Sequence, residues 1–187
     1  MDLPATEAPD TRGQARRSPP ASFEELYRAE LASITAFFAR RSRDPMNVAD
    51  LTADTFLQAL RSYRTFDPAR GPARPWLYAI ARNVYARRRQ RDARLDEAET
   101  RAGGRRALED EVVEELIERI DAQRAGRELL QRLGGMGQIE REAVELVDLA
   151  GLSPKEAALA LSVSSGTLRV RLSRARARLR GQRGADD

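Results

Sequence analysis

The chain has 187 residues, a formal net charge of +4, and neither cysteine nor histidine. This composition excludes disulfides, cysteine nucleophiles, histidine general bases, Ser-His-Asp triads and the usual ligands of structural zinc. No apolar run is long enough to span a bilayer. Catalysis by carboxylates alone stays open on composition, but no motif supports it, and the chain has no GxxxxGK[ST] phosphate-binding loop. We expect a soluble, cytoplasmic protein with no metal, no cofactor and no small-molecule substrate, which is not an enzyme and does not insert into membranes.

The charge is arranged in blocks along the chain. Residues 23–95 hold 14 arginines and 8 acidic residues. Residues 96–123 hold 4 arginines and 10 acidic residues, and residues 124–187 hold 12 basic and 8 acidic residues. Two basic segments therefore flank an acidic one, which indicates two contacts with a polyanion such as nucleic acid. The alternative is that arginine-rich helical surfaces only keep the protein in solution.

The first predicted elements are a tail and two helices. Residues 1–21 are rich in proline and predict a disordered tail. Ser22, with a glutamate three residues later, predicts a capping box that begins a helix over 22–41. Asp44 before a proline predicts a second helix that ends near position 63.

A loop and a third helix follow. Residues 64–74 contain proline and glycine and predict a loop, after which Pro75 can begin a helix with one apolar and one arginine-rich side. Beyond a glycine pair, residues 108–120 predict a short acidic amphipathic helix. This helix is either a solvated spacer, a mimic of nucleic acid, or a mask over the basic segments.

The last third of the chain predicts a helix-turn-helix. Helices are expected over 123–133 and 138–149, before a capping box that begins at Ser153. A short helix, a tight turn at 162–164 and a final helix to about Arg180 then complete the DNA-reading arrangement. Since no segment alternates with period two, we predict an all-α fold.

The final helix has two different faces at 100° per residue. One narrow stripe is apolar and should pack inward: Leu168, Leu172, Ala175 and Leu179. The opposite face holds small residues between two rows of arginines: Val170, Ser173 and Ala177. Small residues framed by cations allow a helix to enter a DNA groove, and arginine can read guanine edges. The alternative is a solvated arginine-rich helix.

Three segments, at 50–57, 75–83 and 151–176, resemble the extracytoplasmic-function branch of the sigma-70 family of bacterial RNA polymerase sigma factors. The resemblance covers about 23–92 and 120–181. It implies a region that binds core polymerase and melts the minus-ten element, and a second region that reads the minus-thirty-five element. The implied organisation is a tail (1–21), a first helical domain (22–94), a flexible acidic linker (95–121), a helix-turn-helix domain (122–182) and a final tail (183–187).

The resemblance also implies functional residues. The positions expected to bind the β′ clamp helices of core polymerase are Asp50, Asp54, Thr55 and Gln58. The positions expected to contact the minus-ten element are Phe66, Asp67, Arg70, Arg74, Arg82, Asn83 and Arg87. The positions expected to contact the minus-thirty-five element are Ser165, Thr167, Arg169, Val170, Arg171, Ser173, Arg174 and Arg178.

The implied partners are promoter DNA, core polymerase through its β′ clamp helices and β flap, and an anti-sigma factor. Two departures from the family pattern stand out: Ala53 replaces a usual glutamine, and Gly134–Gly137 replaces a usual Leu-Pro turn. The competing interpretation is a stand-alone helix-turn-helix regulator, which would explain residues 138–180 but would leave the matches at 50–57 and 75–83 without a role.

Overall fold

A computed structural model describes residues 22–99 and 117–183. All the regular structure in these two ranges is helical, which confirms the predicted all-α class. The predicted tail over 1–21 and most of the predicted linker lie outside the described residues. Of the acidic helix expected over 108–120, only its end is described, where residues 117–122 are helical and Ile120 is buried.

Three helices form the first half of the fold: α1 (Phe23–Ala39), α2 (Pro45–Ser62) and α3 (Ala73–Glu99). The Ser22 hydroxyl accepts a hydrogen bond from the Glu25 amide at 3.2 Å, as the capping box predicted. Residues 63–72 connect α2 to α3 and contain two 3₁₀ turns, at Tyr63–Thr65 and Pro68–Arg70. Helix α3 begins at Ala73, two residues before the predicted start at Pro75. Proline is tolerated there since the first-turn amides have no helical acceptor.

The core of this half is aromatic where α1 meets α3. Phe37, Phe38 and Tyr78 are fully buried. Phe37 contacts the other two rings edge-on, with ring centroids 5.1 Å and 5.6 Å apart. Such arrangements are favourable because the ring edge and face carry opposite partial charges.

The described part of the second half begins with the helical residues 117–122, which are followed by three short helices and a longer one. They are α4 (Arg124–Arg132), α5 (Gln138–Val144), α6 (Pro154–Ala160) and α7 (Ser165–Arg183). After α5 the chain widens into a π-helical turn over Glu145–Leu149, so the helix predicted over 138–149 is present but not uniformly α-helical.

The helix-turn-helix consists of α6, a tight turn and α7. Ser153 and Glu156 form both hydrogen bonds of the predicted capping box, at 3.3 Å and 2.8 Å. Ser162 in the turn has a φ of 53°, a left-handed conformation that reverses the chain quickly. Ser164 then caps α7 by accepting a hydrogen bond from the Thr167 amide at 3.0 Å.

We expect Ser153→Ala to lower the free energy of unfolding by about 1 kcal/mol, because α6 loses its N-cap acceptor. Urea unfolding followed by circular dichroism measures this change. Ser173→Ala on the exposed face of α7 is the matched control and should leave the urea midpoint unchanged. Equal midpoints for Ser153→Ala and the parent would contradict a stabilising role for the cap.

The two halves pack against each other. Helix α3 lies on α6, and the C-terminal end of α1 contacts α4 and the π-helical turn. A glycine makes the second contact close: a Cβ added at Gly126 would lie 2.6 Å from Cδ of Arg40. A side chain at position 126 would therefore require the buried Arg40 stem to shift.

Candidate nucleic-acid interface

Helix α7 has the two faces that its sequence predicts. Leu168, Leu172 and Ala175 are buried against α5 and α6, and Leu179 is partly buried. On the opposite face Val170 is 51% exposed, although it is apolar. Ser173 is also exposed. The outward strip of small residues between arginines is therefore accessible to a duplex.

The residues predicted for the minus-thirty-five contact lie along this helix. Two of them, Ser165 and Arg171, are half-buried. The others are exposed: Thr167, Arg169, Val170, Ser173, Arg174 and Arg178. A concave surface of about 410 Å³ runs beside them, lined by Glu140 of α5 and by Thr167, Val170, Arg171 and Arg174 of α7.

Two arginines of α7 pair with acids of the same half. Arg176 forms a bidentate ion pair with Asp148, in which Nε of Arg176 lies 3.1 Å from Oδ2 of Asp148. These hydrogen bonds raise the pKa of Arg176. Arg178 lies 3.4 Å from Glu140. Both pairs orient arginines on the flanks of the exposed strip.

A groove between α2 and α3 brings together residues expected to bind different partners. Asp54 and Gln58 line it from α2, and Arg87 lines it from α3. Arg87 donates a hydrogen bond to the Gln58 side chain at 3.4 Å. Asp50 and Asp54 are exposed, so their carboxylates are available to a partner surface.

Thr55 does not belong to this exposed set. Its side chain is completely buried, and its hydroxyl donates to the Leu51 carbonyl at 2.7 Å. The expectation that Thr55 touches core polymerase therefore needs correction, because the side chain points into the α1–α2–α3 core. In this arrangement Thr55 packs in the core between these helices.

The loop that carries Phe66, Asp67 and Arg70, expected to contact the minus-ten element, is only partly open. Asp67 and Arg70 are exposed, and the Asp67 carboxylate accepts from the Ala69 amide at 2.9 Å. Phe66 instead turns inward, where its ring lies 5.1 Å from Trp76 and 6.1 Å from Tyr63. Asn83 projects from α3 into solvent. The exposed polar groups, rather than Phe66, are accessible in this arrangement.

Two other arginines predicted for the minus-ten contact bind the second half of the same chain. Arg82 donates to Glu142 at 2.7 Å and to the Ala160 carbonyl at 2.8 Å. Arg74 donates to the Ala150 carbonyl at 2.6 Å and pairs with Glu30 at 3.2 Å. The helix-turn-helix half thus covers part of the basic surface of α3.

A buried ion pair lies at the centre of this contact. Both guanidinium η nitrogens of Arg41 donate to the two carboxylate oxygens of Glu145, whose side chain is 2% exposed. The Arg41 guanidinium also lies over the Phe37 ring, 3.4 Å from its centroid. Sequence reasoning missed both residues, because neither belongs to a local pattern and 104 positions separate them.

Within residues 22–99 and 117–183, no group of three or more acidic side chains is placed to hold a metal ion. None of the helices described in the same ranges has the length and apolarity needed to cross a membrane.

Comparison with known proteins gives two family matches. The family described as Sigma-70 region 2 matches residues 26–95, and the family described as Sigma-70, region 4, matches residues 126–179. The two matches together include both surfaces described above.

Individual relatives agree with these matches. The ECF RNA polymerase sigma factor SigC of Mycobacterium tuberculosis is 33% identical over 172 residues, which cover 89% of this chain and 85% of SigC. SigE of Mycolicibacterium smegmatis is 31% identical over 85% of this chain, and the match spans only 60% of SigE. Among solved structures, CnrH in complex with the cytosolic domain of CnrY superposes with a TM-score of 0.58 and 27% identity, covering 88% of this chain and 89% of CnrH. The sigma factor RpoE of Bartonella quintana, at 24% identity, shares the fold with a TM-score of 0.62, covering 88% of this chain and 98% of RpoE.

Proposed function

Because this chain belongs to the extracytoplasmic-function sigma factors of the sigma-70 family, which direct promoter-specific initiation by RNA polymerase, we propose a division of that task between its two halves. Residues 22–94 bind core polymerase and the minus-ten element, and residues 122–182 read the minus-thirty-five element. The chain contributes no catalysis of its own and works in the cytoplasm, where bacterial polymerase is found.

The observation that carries this proposal is the outward face of α7. The exposed strip at Val170 and Ser173 lies between arginines and opposite the buried stripe that begins at Leu168. One face of a recognition helix must be buried to hold the helix in place, and the opposite face must remain accessible to the major groove. Both conditions hold for this helix.

In the first half, the groove between α2 and α3 supports a shared site. Asp50, Asp54 and Gln58 would face the β′ clamp helices of core polymerase, while Arg87 and Asn83 would face DNA. Thr55 supports this surface from inside the core. Ala53 is exposed beside Asp54, so the missing glutamine removes a polar group at the edge of the proposed contact.

An anti-sigma factor is the proposed regulatory partner. CnrH, a relative in structure and sequence, is known in complex with the cytosolic domain of CnrY. In this chain the exposed residues of both halves would offer such a partner a surface that also binds DNA or polymerase. We propose occupation of that surface as the means of inhibition.

The direct test is binding of the purified chain to bacterial core polymerase, followed by promoter-dependent run-off transcription. Tight association and initiation at discrete start sites are the expected result. Salt-sensitive binding to duplex DNA without any association with core polymerase would instead favour the stand-alone helix-turn-helix regulator. In that case Ala53 is the first position to restore to glutamine.

We expect Asp54→Ala to weaken association with core polymerase while leaving binding to minus-thirty-five duplex DNA unchanged. Asp54 lines the groove between α2 and α3 and is not part of the surface along α7. Fluorescence anisotropy with each partner separates the two effects. Glu128→Ala, an exposed acid on α4, is the matched control for the lost negative charge. Equal core affinity of Asp54→Ala and the parent would remove Asp54 from the interface.

A further inference from the structure

A cavity of about 270 Å³ lies between the two halves of the fold. Arg40 and Tyr78 line it from the first half, and Gln123 and Leu149 line it from the second. The adjoining wall of α1 consists of alanine and serine side chains, which leave the space open. This volume holds several waters at about 30 Å³ each and lies just below the range of about 300–1,000 Å³ that suits drug-sized ligands. Its size suits a small molecule.

Two buried side chains on the cavity wall carry unused hydrogen-bond donors. Nε and Nη2 of Arg40 and the hydroxyl of Tyr78 have no hydrogen-bond partner among the residues that the structure describes. Arg40 is 5% exposed and Tyr78 is 0% exposed, so bulk water does not reach them freely. Burial raises the pKa of Tyr78, which keeps its hydroxyl protonated as a donor. Buried donors of this kind ordinarily have acceptors.

The same region carries more positive than negative charge, because two of its carboxylates, Glu30 and Glu142, are each paired with an arginine of α3. Nε of Arg40 lies 3.7 Å from Glu145, whose two oxygens already accept hydrogen bonds from Arg41. One carboxylate therefore serves two guanidinium groups. Arg127, which is 9% exposed, adds a third cation and donates to the Ala39 carbonyl at 3.1 Å. Burial lowers the pKa of Arg40 and Arg41, because both charges are held away from water.

We infer that this cavity binds a small oxyanion, a carboxylate or a phosphate, which accepts hydrogen bonds from Arg40 and Tyr78. Water can accept the same hydrogen bonds, but it brings no charge to offset the excess of arginine. An oxyanion supplies both the hydrogen-bond acceptors and the negative charge. Since Gln123 and Leu149 belong to the second half, the bound anion also contacts both halves and stabilises their association.

The test uses the full chain with inorganic phosphate and with acetate as separate probes, each titrated against chloride at constant ionic strength by calorimetry. Arg40→Met keeps the apolar stem and removes the guanidinium, whereas Tyr78→Phe removes only the hydroxyl. Arg89→Met, an exposed arginine of α3, controls for anions held on the basic surface. If Arg40→Met fails to fold, Tyr78→Phe still tests the site.

Saturable binding of either probe is expected, weakened roughly tenfold or more by Arg40→Met and by Tyr78→Phe, and unchanged in Arg89→Met. Preference for acetate would identify a carboxylate ligand, and preference for phosphate a phosphate ligand. Equal binding by the parent and both cavity variants would overturn the inference, because the anion would then sit on the exposed helices. Absence of saturable binding of both probes would also overturn it and leave the cavity to water.

Discussion

We expect Glu145→Gln to separate the two halves of the free protein. The substitution removes the carboxylate that serves Arg40 and Arg41 and leaves two buried guanidinium groups without a counter-charge. Breaking a buried pair from one side costs about 3–5 kcal/mol. Because opening the contact returns both arginines to water, we expect this cost to appear as separation of the halves rather than as unfolding of either.

Fluorescence energy transfer between labels on the two halves measures the separation. The chain has no cysteine, so Glu24→Cys on α1 and Ala177→Cys on α7 provide two unique labelling positions. Transfer should fall in Glu145→Gln. Asp148→Asn is the matched control, because it removes an acid from a more exposed ion pair within the second half. Such an exposed pair contributes only about 0–1 kcal/mol to stability. Unchanged transfer in Glu145→Gln would contradict the role of the buried pair.

The same variant should bind single-stranded minus-ten DNA more tightly than the parent. In the packed arrangement Arg74 and Arg82 donate to carbonyl and carboxylate groups of the second half. These arginines cannot make the same hydrogen bonds to DNA at the same time. If these arginines make the proposed minus-ten contact, packing of the two halves competes with DNA binding at α3. Weaker packing then increases the fraction of molecules whose α3 arginines are free to bind DNA.

We expect Arg171→Ala and Arg174→Ala each to weaken binding to minus-thirty-five duplex DNA by about 1–3 kcal/mol, or roughly 5- to 150-fold, if each arginine reads a base edge. Anisotropy titrations with the duplex measure the loss. An arginine that contacts only phosphate should instead lower the salt dependence of binding, by about one unit of slope per contact. The titrations repeated at several salt concentrations distinguish the two roles.

Association with the β′ clamp helices of core polymerase should be unchanged in both variants, because the residues proposed for that contact lie on α2 in the first half. Arg28→Ala is the control for the loss of one positive charge, since this exposed arginine lies on α1 and pairs with Glu24. If Arg171→Ala or Arg174→Ala also abolished core binding, the division of labour between the two halves would be wrong.

Local patterns in the sequence were sufficient for the elements of the helix-turn-helix. The Ser153 capping box and the Ser164 cap use groups within three residues of each other, so their geometry follows from the helix itself. The inward stripe from Leu168 to Ala175 follows from 3.6-residue periodicity. The π-helical turn over Glu145–Leu149 was not predictable, because its apolar spacing is also that of an ordinary helix.

The sequence by itself determined the all-α class, the helix ends with capping residues and the two-faced recognition helix, since each depends on residues one to four positions apart. Tertiary structure decided which polar residues are accessible. It buried Thr55, turned Phe66 toward Trp76, and joined Arg41 to Glu145 across 104 positions. Periodicity assigns a residue to a helix face, but only packing of the helices determines whether that face meets solvent, the core or the other half of the chain.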